Sequence, residues 1–118
     1  MMEHKISIIG MGYVGLCTAV FLSIKGYKII TTELDPKKVE LINRGIPPFY
    51  EPDLKEYLQK VVKNGFLKCI INNRDAILDT DITFITVGTP RNPDGSINLQ
   101  YIEDVAHEIG EALRDKET

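Results

Sequence analysis

Short apolar and β-branched runs alternate along the chain with stretches in which apolar positions have helical spacing. The runs at residues 6–9, 27–33, 66–71 and 82–87 are predicted to be strands. Within these runs apolar and polar positions do not alternate cleanly. That pattern is typical of strands in a parallel sheet that is covered on both faces.

The stretch after the first run predicts a helix that Gly26 closes. Its apolar face is predicted from the spacing of Tyr13, Cys17, Val20, Phe21 and Ile24. Residues 36–43 predict a second, short helix, because Pro36 suits a first helical turn and Gly45 follows the last one.

Three further helices follow from the same kind of pattern. Residues 54–62 carry an apolar stripe, and Asp53 is the expected N-cap of a capping box with the glutamate three residues later. Residues 75–78 predict one brief helical turn. The last stripe covers residues 102–113, with Asn98 as its expected cap.

The resulting order is strand, helix, strand, two helices, strand, short helix, strand, helix. Such alternation predicts an α/β fold: a Rossmann-type, doubly wound parallel sheet of about four strands in the order 3-2-1-4, with right-handed crossovers. A fifth strand would be expected next. We therefore expect residues 1–118 to be the first part of a longer protein, and one sheet edge to be covered by a partner or by further chain.

Composition narrows the function classes. The chain has 118 residues, of which 43% are hydrophobic and 26% charged, as expected for one globular domain. A net charge of −3 argues against a nucleic-acid partner, and no apolar run approaches the roughly 20 residues of a membrane span. Cys17 and Cys69 form neither a disulfide framework nor a metal motif and are expected to be packing residues, so a reducing cytoplasm is the expected location.

The first predicted strand runs directly into a G-x-G-x-x-G loop made of Gly10, Met11, Gly12, Tyr13, Val14 and Gly15. Between a strand and a helix this motif predicts a dinucleotide diphosphate site. Gly10 allows the sharp turn, Gly12 lets the diphosphate approach the backbone, and Gly15 lets the helix pack closely on the strand. The helix N-terminus adds free N–H groups and the positive end of its dipole.

Glu33 ends the second predicted strand, about 20 residues beyond the loop, where an acid accepts hydrogen bonds from the adenosine ribose. Its charge would repel the 2′-phosphate of NADP, so NAD is favoured, although Lys37 and Lys38 lie close by. The alternative is a solvated charge at a strand end. Asp35 is the competing acid, but it fits better as the cap of the helix at 36–43.

The fourth predicted strand ends in Val87, Gly88, Thr89 and Pro90. Ligands of doubly wound sheets bind beyond the carboxyl ends of the strands, where the strand order reverses. We therefore expect Gly10, Glu33, Gly88 and Thr89 to converge on one edge. Taken alone, Thr89 fits a plain turn before Pro90 equally well.

Residues 46–52 form a second distinctive loop, in which three prolines hold the chain extended around Phe49, Tyr50 and Glu51. These side chains suit a loop that faces a ligand. They suit at least as well a rigid connector that packs its aromatic rings on the sheet.

Six segments together carry a resemblance: GMGYVGL at 10–16, ELDPKKV at 33–39, LINRG at 41–45, FYEPDL at 49–54, VGTP at 87–90 and DGSINL at 94–99. In this order they resemble the N-terminal NAD-binding domain of the UDP-glucose/GDP-mannose dehydrogenase family. The resemblance covers nearly the whole chain.

The resemblance implies an enzyme that oxidises the C6 alcohol of a nucleotide sugar to a carboxylate in two steps with two NAD, and a homodimeric parent protein. It implies NAD contacts for Val14, Glu33, Lys38 and Thr89. The family's catalytic cysteine and lysine come later than this chain reaches, so no catalytic residue and no metal ligand is assigned here.

Two positions depart from the family pattern, which usually has Asp at Glu33 and Gly at Asp53. The loop at 49–54 and the turn at 94–96 are nearest to the UDP-glucose type, with UDP-N-acetyl sugars and GDP-mannose left open. Two alternative functions are also compatible with the sequence. One is a stand-alone nucleotide-sensing module without catalysis, and the other is a methyltransferase with a similar glycine loop. A nucleoside-triphosphate site is disfavoured, because no Gly-Lys-Ser/Thr follows the loop.

Overall fold

A computed structural model of the chain, which describes residues 4–10, 12–87 and 92–116, confirms the predicted order of strands and helices. The elements are β1 Lys5–Ile9, α1 Tyr13–Ile24, β2 Lys28–Thr32, α2 Pro36–Asn43, α3 Leu54–Lys63, β3 Leu67–Ile70, α4 Asn73–Leu78, β4 Ile82–Ile85 and α5 Gln100–Asp115. Within these ranges no helix combines the length and apolar character that crossing a membrane requires.

The four strands form one parallel sheet in the order β3-β2-β1-β4, as predicted for the α/β class. Neighbouring side chains of β1 alternate between its two faces. Ile8 belongs to a core cluster with residues of α1 and α3, whereas Ile9 belongs to a second cluster with residues of α4 and α5. Helices therefore cover the sheet on both sides, which is the doubly wound arrangement.

The buried face of α1 matches the predicted one only in part, because Val20 is buried and Cys17 half-buried, but the three larger side chains are exposed. Tyr13, Phe21 and Ile24 are 54%, 58% and 48% exposed. The buried residues of this helix are Gly15, Leu16, Ala19, Val20 and Ser23. The prediction was based on large apolar residues. The buried face includes small residues instead, because small side chains let a helix approach a sheet closely. The one polar member is satisfied, because the Ser23 hydroxyl donates to the Ala19 carbonyl oxygen at 2.8 Å.

The three predicted N-caps have different outcomes in the structure. The Asp35 carboxylate accepts from the Lys37 N–H at 2.9 Å and caps α2, as expected. Asn98 accepts from the Gln100 N–H at 2.9 Å and so bonds the first residue of α5, but Leu99 rather than Asn98 is the N-cap residue. The prediction for Asp53 is wrong: its side chain makes no capping bond to α3, and its φ of 67° is left-handed. Glycine, which the resemblance leads us to expect at this position, would adopt that conformation without strain.

The strand β4 forms one edge of the sheet and is less covered than the predicted pattern suggested. Its side chains Ile82, Phe84 and Ile85 are 41–44% exposed. An edge strand has a neighbour on one side only, so its apolar side chains gain less cover than those of β1. The expectation that this edge is covered by a partner or by further chain stays a prediction.

The opposite edge, formed by β3, is closed by a side chain of α2. The Asn43 side-chain amide donates through Nδ2 to the Cys69 carbonyl oxygen and accepts through Oδ1 from the Cys69 N–H, both at 2.8 Å. An amide carries the same donor and acceptor pair as a peptide group. Asn43 therefore replaces a neighbouring strand at this point and satisfies an edge that would otherwise be open to pairing.

We expect Asn43→Ala to lower the free energy of unfolding by about 1–2 kcal/mol, because two partly buried hydrogen bonds are lost. Asn43→Asp is expected to be at least as costly, since its carboxylate would face the Cys69 carbonyl oxygen. Urea unfolding of the chain measures both changes. Asn64→Ala, at the exposed end of α3, is the matched control and should change stability by less than about 0.5 kcal/mol. Equal effects of the two alanine variants would contradict the edge role of Asn43.

Candidate functional site

Three strands end side by side at one edge of the sheet. In the register of the strands, Ile9 of β1 pairs with Thr32 of β2 and with Ile85 of β4. The residues that follow these strand ends meet around a cavity of about 130 Å³, lined by Gly10, Gly12, Glu33, Leu34, Thr86, Val87 and Tyr101. The crevice beyond the carboxyl ends of parallel strands is where open α/β sheets bind ligands.

The turn from β1 into α1 is held by bonds from both neighbouring strands. The Gly10 N–H donates to the Thr32 carbonyl oxygen at 3.0 Å. On the other side, the Thr86 hydroxyl lies 3.1 Å from the Ile9 carbonyl oxygen and 2.9 Å from that of Gly10. Gly10 has a φ of 97°, which side chains rarely adopt, so the turn requires glycine.

Gly15 sits where α1 crosses this turn. A Cβ atom there would lie 2.2 Å from the Gly10 carbonyl oxygen and 2.5 Å from the Thr86 hydroxyl oxygen. Both distances are far below van der Waals contact. Gly15 therefore allows the close packing of helix on strand that the motif predicts.

Gly12 has the opposite surroundings. A Cβ atom on Gly12 would have no described atom within 4 Å, and the residue is the N-cap of α1 in an extended conformation. In the part of the chain that the structure describes, no side chain caps this terminus and its first turn contains no acid. Unpaired N–H groups and the positive end of the helix dipole thus adjoin open space, which suits an anionic group.

Glu33 is the first residue after β2. Its N–H donates to the Ile70 carbonyl oxygen at 3.1 Å, which ties its backbone to β3. Its carboxylate accepts from the Asp35 N–H at 2.9 Å, so the side chain is oriented. A carboxylate has about four acceptor positions, and this bond uses one of them. Glu33 is half-buried and lines the cavity, as an acceptor for sugar hydroxyls should.

The structure brings together only some of the predicted site residues. Gly10, Gly12 and Glu33 line the cavity, and Tyr13, Val14 and Gly15 form the adjoining first turn of α1. Lys38 is exposed on α2 and does not line the cavity. Three predicted contacts lie outside the described residues: Met11, Gly88 and Thr89.

Tyr101, Leu34 and Thr86 are site residues that the sequence reasoning missed. Tyr101 lies in the first turn of α5 and packs partly buried against the cluster of Ile9 and Val105. Burial, followed by the nearby charge of Glu33, raises the pKa of Tyr101. A signal was available, because Leu34 and Thr86 follow the ends of β2 and β4 and Tyr101 begins the helix after β4.

Neither cysteine is activated. Burial raises the pKa of the Cys69 thiol to about 11. Burial, together with the charge of Glu51, also raises the pKa of Cys17. Nucleophilic cysteines have lowered pKa values. Both thiols therefore fit the packing role predicted for them, although Cys17 is only half-buried.

These features fit a dinucleotide with two phosphates and an unmodified ribose. The bare backbone at Gly12 and the open helix terminus suit the diphosphate, and the carboxylate of Glu33 suits the ribose hydroxyls. Leu34 and Tyr101 add apolar surface to the same cavity, as a base requires.

Residues 4–118 match the UDP-glucose/GDP-mannose dehydrogenase family, NAD binding domain. GDP-mannose 6-dehydrogenase of Pseudomonas syringae pv. syringae is 44% identical over 114 residues, which are 97% of this chain and 26% of the relative. UDP-glucose 6-dehydrogenase of Bacillus subtilis is 38% identical over 93% of this chain and 25% of its own length. The chain thus spans about a quarter of the curated relatives it matches.

Solved structures agree with this assignment. A ternary complex of GDP-mannose dehydrogenase from Pseudomonas aeruginosa superposes with a TM-score of 0.93 at 42% identity, covering 97% of this chain and 26% of that one. A UDP-glucose dehydrogenase from Pyrobaculum islandicum superposes with a TM-score of 0.92 at 38% identity, covering 98% and 27%.

Alanine substitutions of Gly12 and Gly15 should differ in their effect on stability, because Gly15 is packed against backbone and Gly12 is not. Gly15→Ala places a Cβ against backbone, so we expect it to lower the free energy of unfolding by about 2 kcal/mol or more. Gly12→Ala meets no described atom and should leave stability within about 0.5 kcal/mol of the parent chain. Thermal or urea unfolding of both variants measures the difference. A Gly15→Ala variant as stable as Gly12→Ala would refute the close-packing role.

Proposed function

The chain belongs to the UDP-glucose/GDP-mannose dehydrogenase family as its NAD-binding domain, and we propose that it is the cofactor-binding part of a nucleotide-sugar 6-dehydrogenase. The observation that carries the proposal is the convergence of Gly12, the open N-terminus of α1 and Glu33 around one cavity. The fold alone would not carry it, because many activities share the doubly wound sheet.

Each residue has a defined part in binding. Gly12 admits the diphosphate to the backbone, and the N–H groups of the first turn of α1 bond its oxygens. Glu33, oriented by the Asp35 N–H, accepts from the hydroxyls of the adenosine ribose. Val14, Lys38 and Thr89 are proposed as further contacts on the resemblance to the family.

Selectivity for NAD over NADP follows from charge. A 2′-phosphate would take the place of the ribose hydroxyl next to the Glu33 carboxylate. Tyr101 of α5 also lines this cavity. Two like charges in a partly buried cavity repel each other more strongly than in water. The site therefore favours the unphosphorylated ribose.

The bound NAD supplies the hydride acceptor for oxidation of an alcohol. The residues of this chain bind and orient it, and none of them is assigned to proton transfer or covalent chemistry. The resemblance places the catalytic cysteine and lysine in further chain. In the proposed reaction a primary alcohol, one water and two NAD⁺ give a carboxylate, two NADH and three protons.

The substrate class is a nucleotide-linked hexose with a free C6 alcohol. Relatives at 41–44% identity are named for GDP-mannose, and a relative at 38% is named for UDP-glucose. The loop at 49–54 resembles the UDP-glucose type. We therefore propose both GDP-mannose and UDP-glucose as candidate substrates. No relative reported above supports a sensing module or a methyltransferase. The single NAD-binding domain over residues 1–118, the homodimer and the cytoplasmic location stay predictions.

We expect Glu33→Ala to weaken NAD binding about tenfold, because losing hydrogen bonds to a carboxylate costs about 1.4 kcal/mol or more. NADP binding should change little or improve. Calorimetry with both dinucleotides measures the effect, and Glu56→Ala on the exposed side of α3 is the charge-matched control. Equal affinity of the parent chain for NAD and NADP would undercut the role of Glu33.

We expect the full-length protein to form two NADH per nucleotide sugar consumed, and the 118-residue chain alone to form none. NADH absorbance with GDP-mannose and UDP-glucose as separate substrates measures the yield and identifies the nucleotide. One NADH per sugar would limit the reaction to the aldehyde, and no NADH with any nucleotide sugar would refute the proposed activity.

A further inference from the structure

The loop between α2 and α3, residues 46–53, contacts the glycine-loop helix rather than the sheet alone. The ring of Phe49 lies 5.3 Å from the ring of Tyr13, centroid to centroid, with an angle of 40° between the planes. Tyr13 is the first residue of α1 and directly follows Gly12. Phe49 is also partly buried against the core cluster that contains Leu16. The loop thus links the core to the turn that would bind phosphate.

Both ends of this loop are anchored. The Ile46 N–H donates to the Leu41 carbonyl oxygen at 2.9 Å, and the Leu54 N–H donates to the Glu51 carbonyl oxygen at 3.1 Å. Between these bonds, three of the eight loop residues are proline, which fixes their φ angles. Such a segment has little freedom to lose, so it can hold a neighbour in place at low entropic cost.

The carboxylate of Glu51 lies near the same side of α1. Its hydrogen-bonding effect, followed by its charge, raises the pKa of the Tyr13 phenol. Its charge also raises the pKa of Cys17, after the larger effect of burial. Tyr13 and Cys17 are one helical turn apart, so the carboxylate lies alongside the first turn of α1.

The opposite side of that turn is held by the sheet. Gly15 rests on the Gly10 carbonyl oxygen, and the Thr86 hydroxyl bonds the same oxygen at 2.9 Å. The first turn of α1 therefore lies between two supports: the ends of β1 and β4 on one side, and the loop at 46–53 on the other.

We propose that the loop at 46–53 positions the first turn of α1 for dinucleotide binding, with Tyr13 as the positioning residue that the ring of Phe49 holds. This inference rests on the proposed function of the cavity. By fixing the Tyr13 side chain, the loop pre-orders the N–H groups that meet the diphosphate, and affinity rises because less freedom is lost on binding. Phe49 packs as expected for a rigid connector, whereas Tyr50 is 89% exposed, so the ligand-facing role of the loop stays a prediction.

The test compares Phe49→Leu, Tyr13→Leu and the double variant in the full-length protein. Each single change removes the contact between the two rings but keeps an apolar side chain. We expect each to weaken NAD binding three- to tenfold and raise the KM for NAD with kcat unchanged. The double variant should lose no more than either single one, because both act through one contact. Tyr50→Phe is the matched control: Tyr50 is adjacent and 89% exposed, so its affinity should not change.

Amide hydrogen exchange without NAD provides a readout that is independent of binding. The amides of residues 13–16 should exchange faster in Phe49→Leu and Tyr13→Leu than in the parent and in Tyr50→Phe. Unaltered exchange in both variants would overturn the positioning role.

Two further outcomes are decisive. If Tyr13→Leu weakens NAD binding and Phe49→Leu does not, Tyr13 acts without the loop and the inference is wrong. If the parent protein binds no NAD while exchange at residues 13–16 still depends on Tyr13 and Phe49, the proposed function fails and the positioning contact stands. The two failures are therefore distinguishable.

Discussion

The close contact between α1 and the end of β1 is the constraint on which the rest of the structure depends. The helix can approach the Gly10 carbonyl oxygen only because Gly15 has no side chain, since a Cβ atom would lie 2.2 Å from it. Thr86 secures the same oxygen from β4. This contact brings the first turn of α1 to the edge where β1, β2 and β4 end, next to the cavity that Glu33 lines.

The site has to accept a diphosphate while keeping a carboxylate close by. The structure separates the two charges by placing them after different strands, the helix terminus after β1 and Glu33 after β2. Neighbouring strands lie about 4.8 Å apart, so each anion keeps its own partners. The helix N–H groups serve one, and the Asp35 N–H offsets part of the charge of the other.

The order of the elements could be predicted because it depends on local periodicity and on backbone chemistry. A short β-branched run predicts a strand wherever it stands, and Gly10 and Gly12 mark the turn because only glycine suits it. Glu33 could be assigned for a similar reason, since its distance from the loop fixes its place at the end of β2. The cap of α2 followed from Asp35, and the bond to the first residue of α5 followed from Asn98, because each has its partner two residues away.

The sequence by itself therefore determined the parallel sheet, its strand order and the glycine loop with its acid, all of which follow from short-range pattern and connection rules. Only the tertiary structure decided which face of α1 is buried, that Asp53 is left-handed rather than a cap, and that Tyr101 lines the cavity. It also decided that Phe49 packs against Tyr13. These features depend on which surfaces meet across long separations in the chain, and close packing is set by the shapes that meet rather than by the spacing of apolar residues.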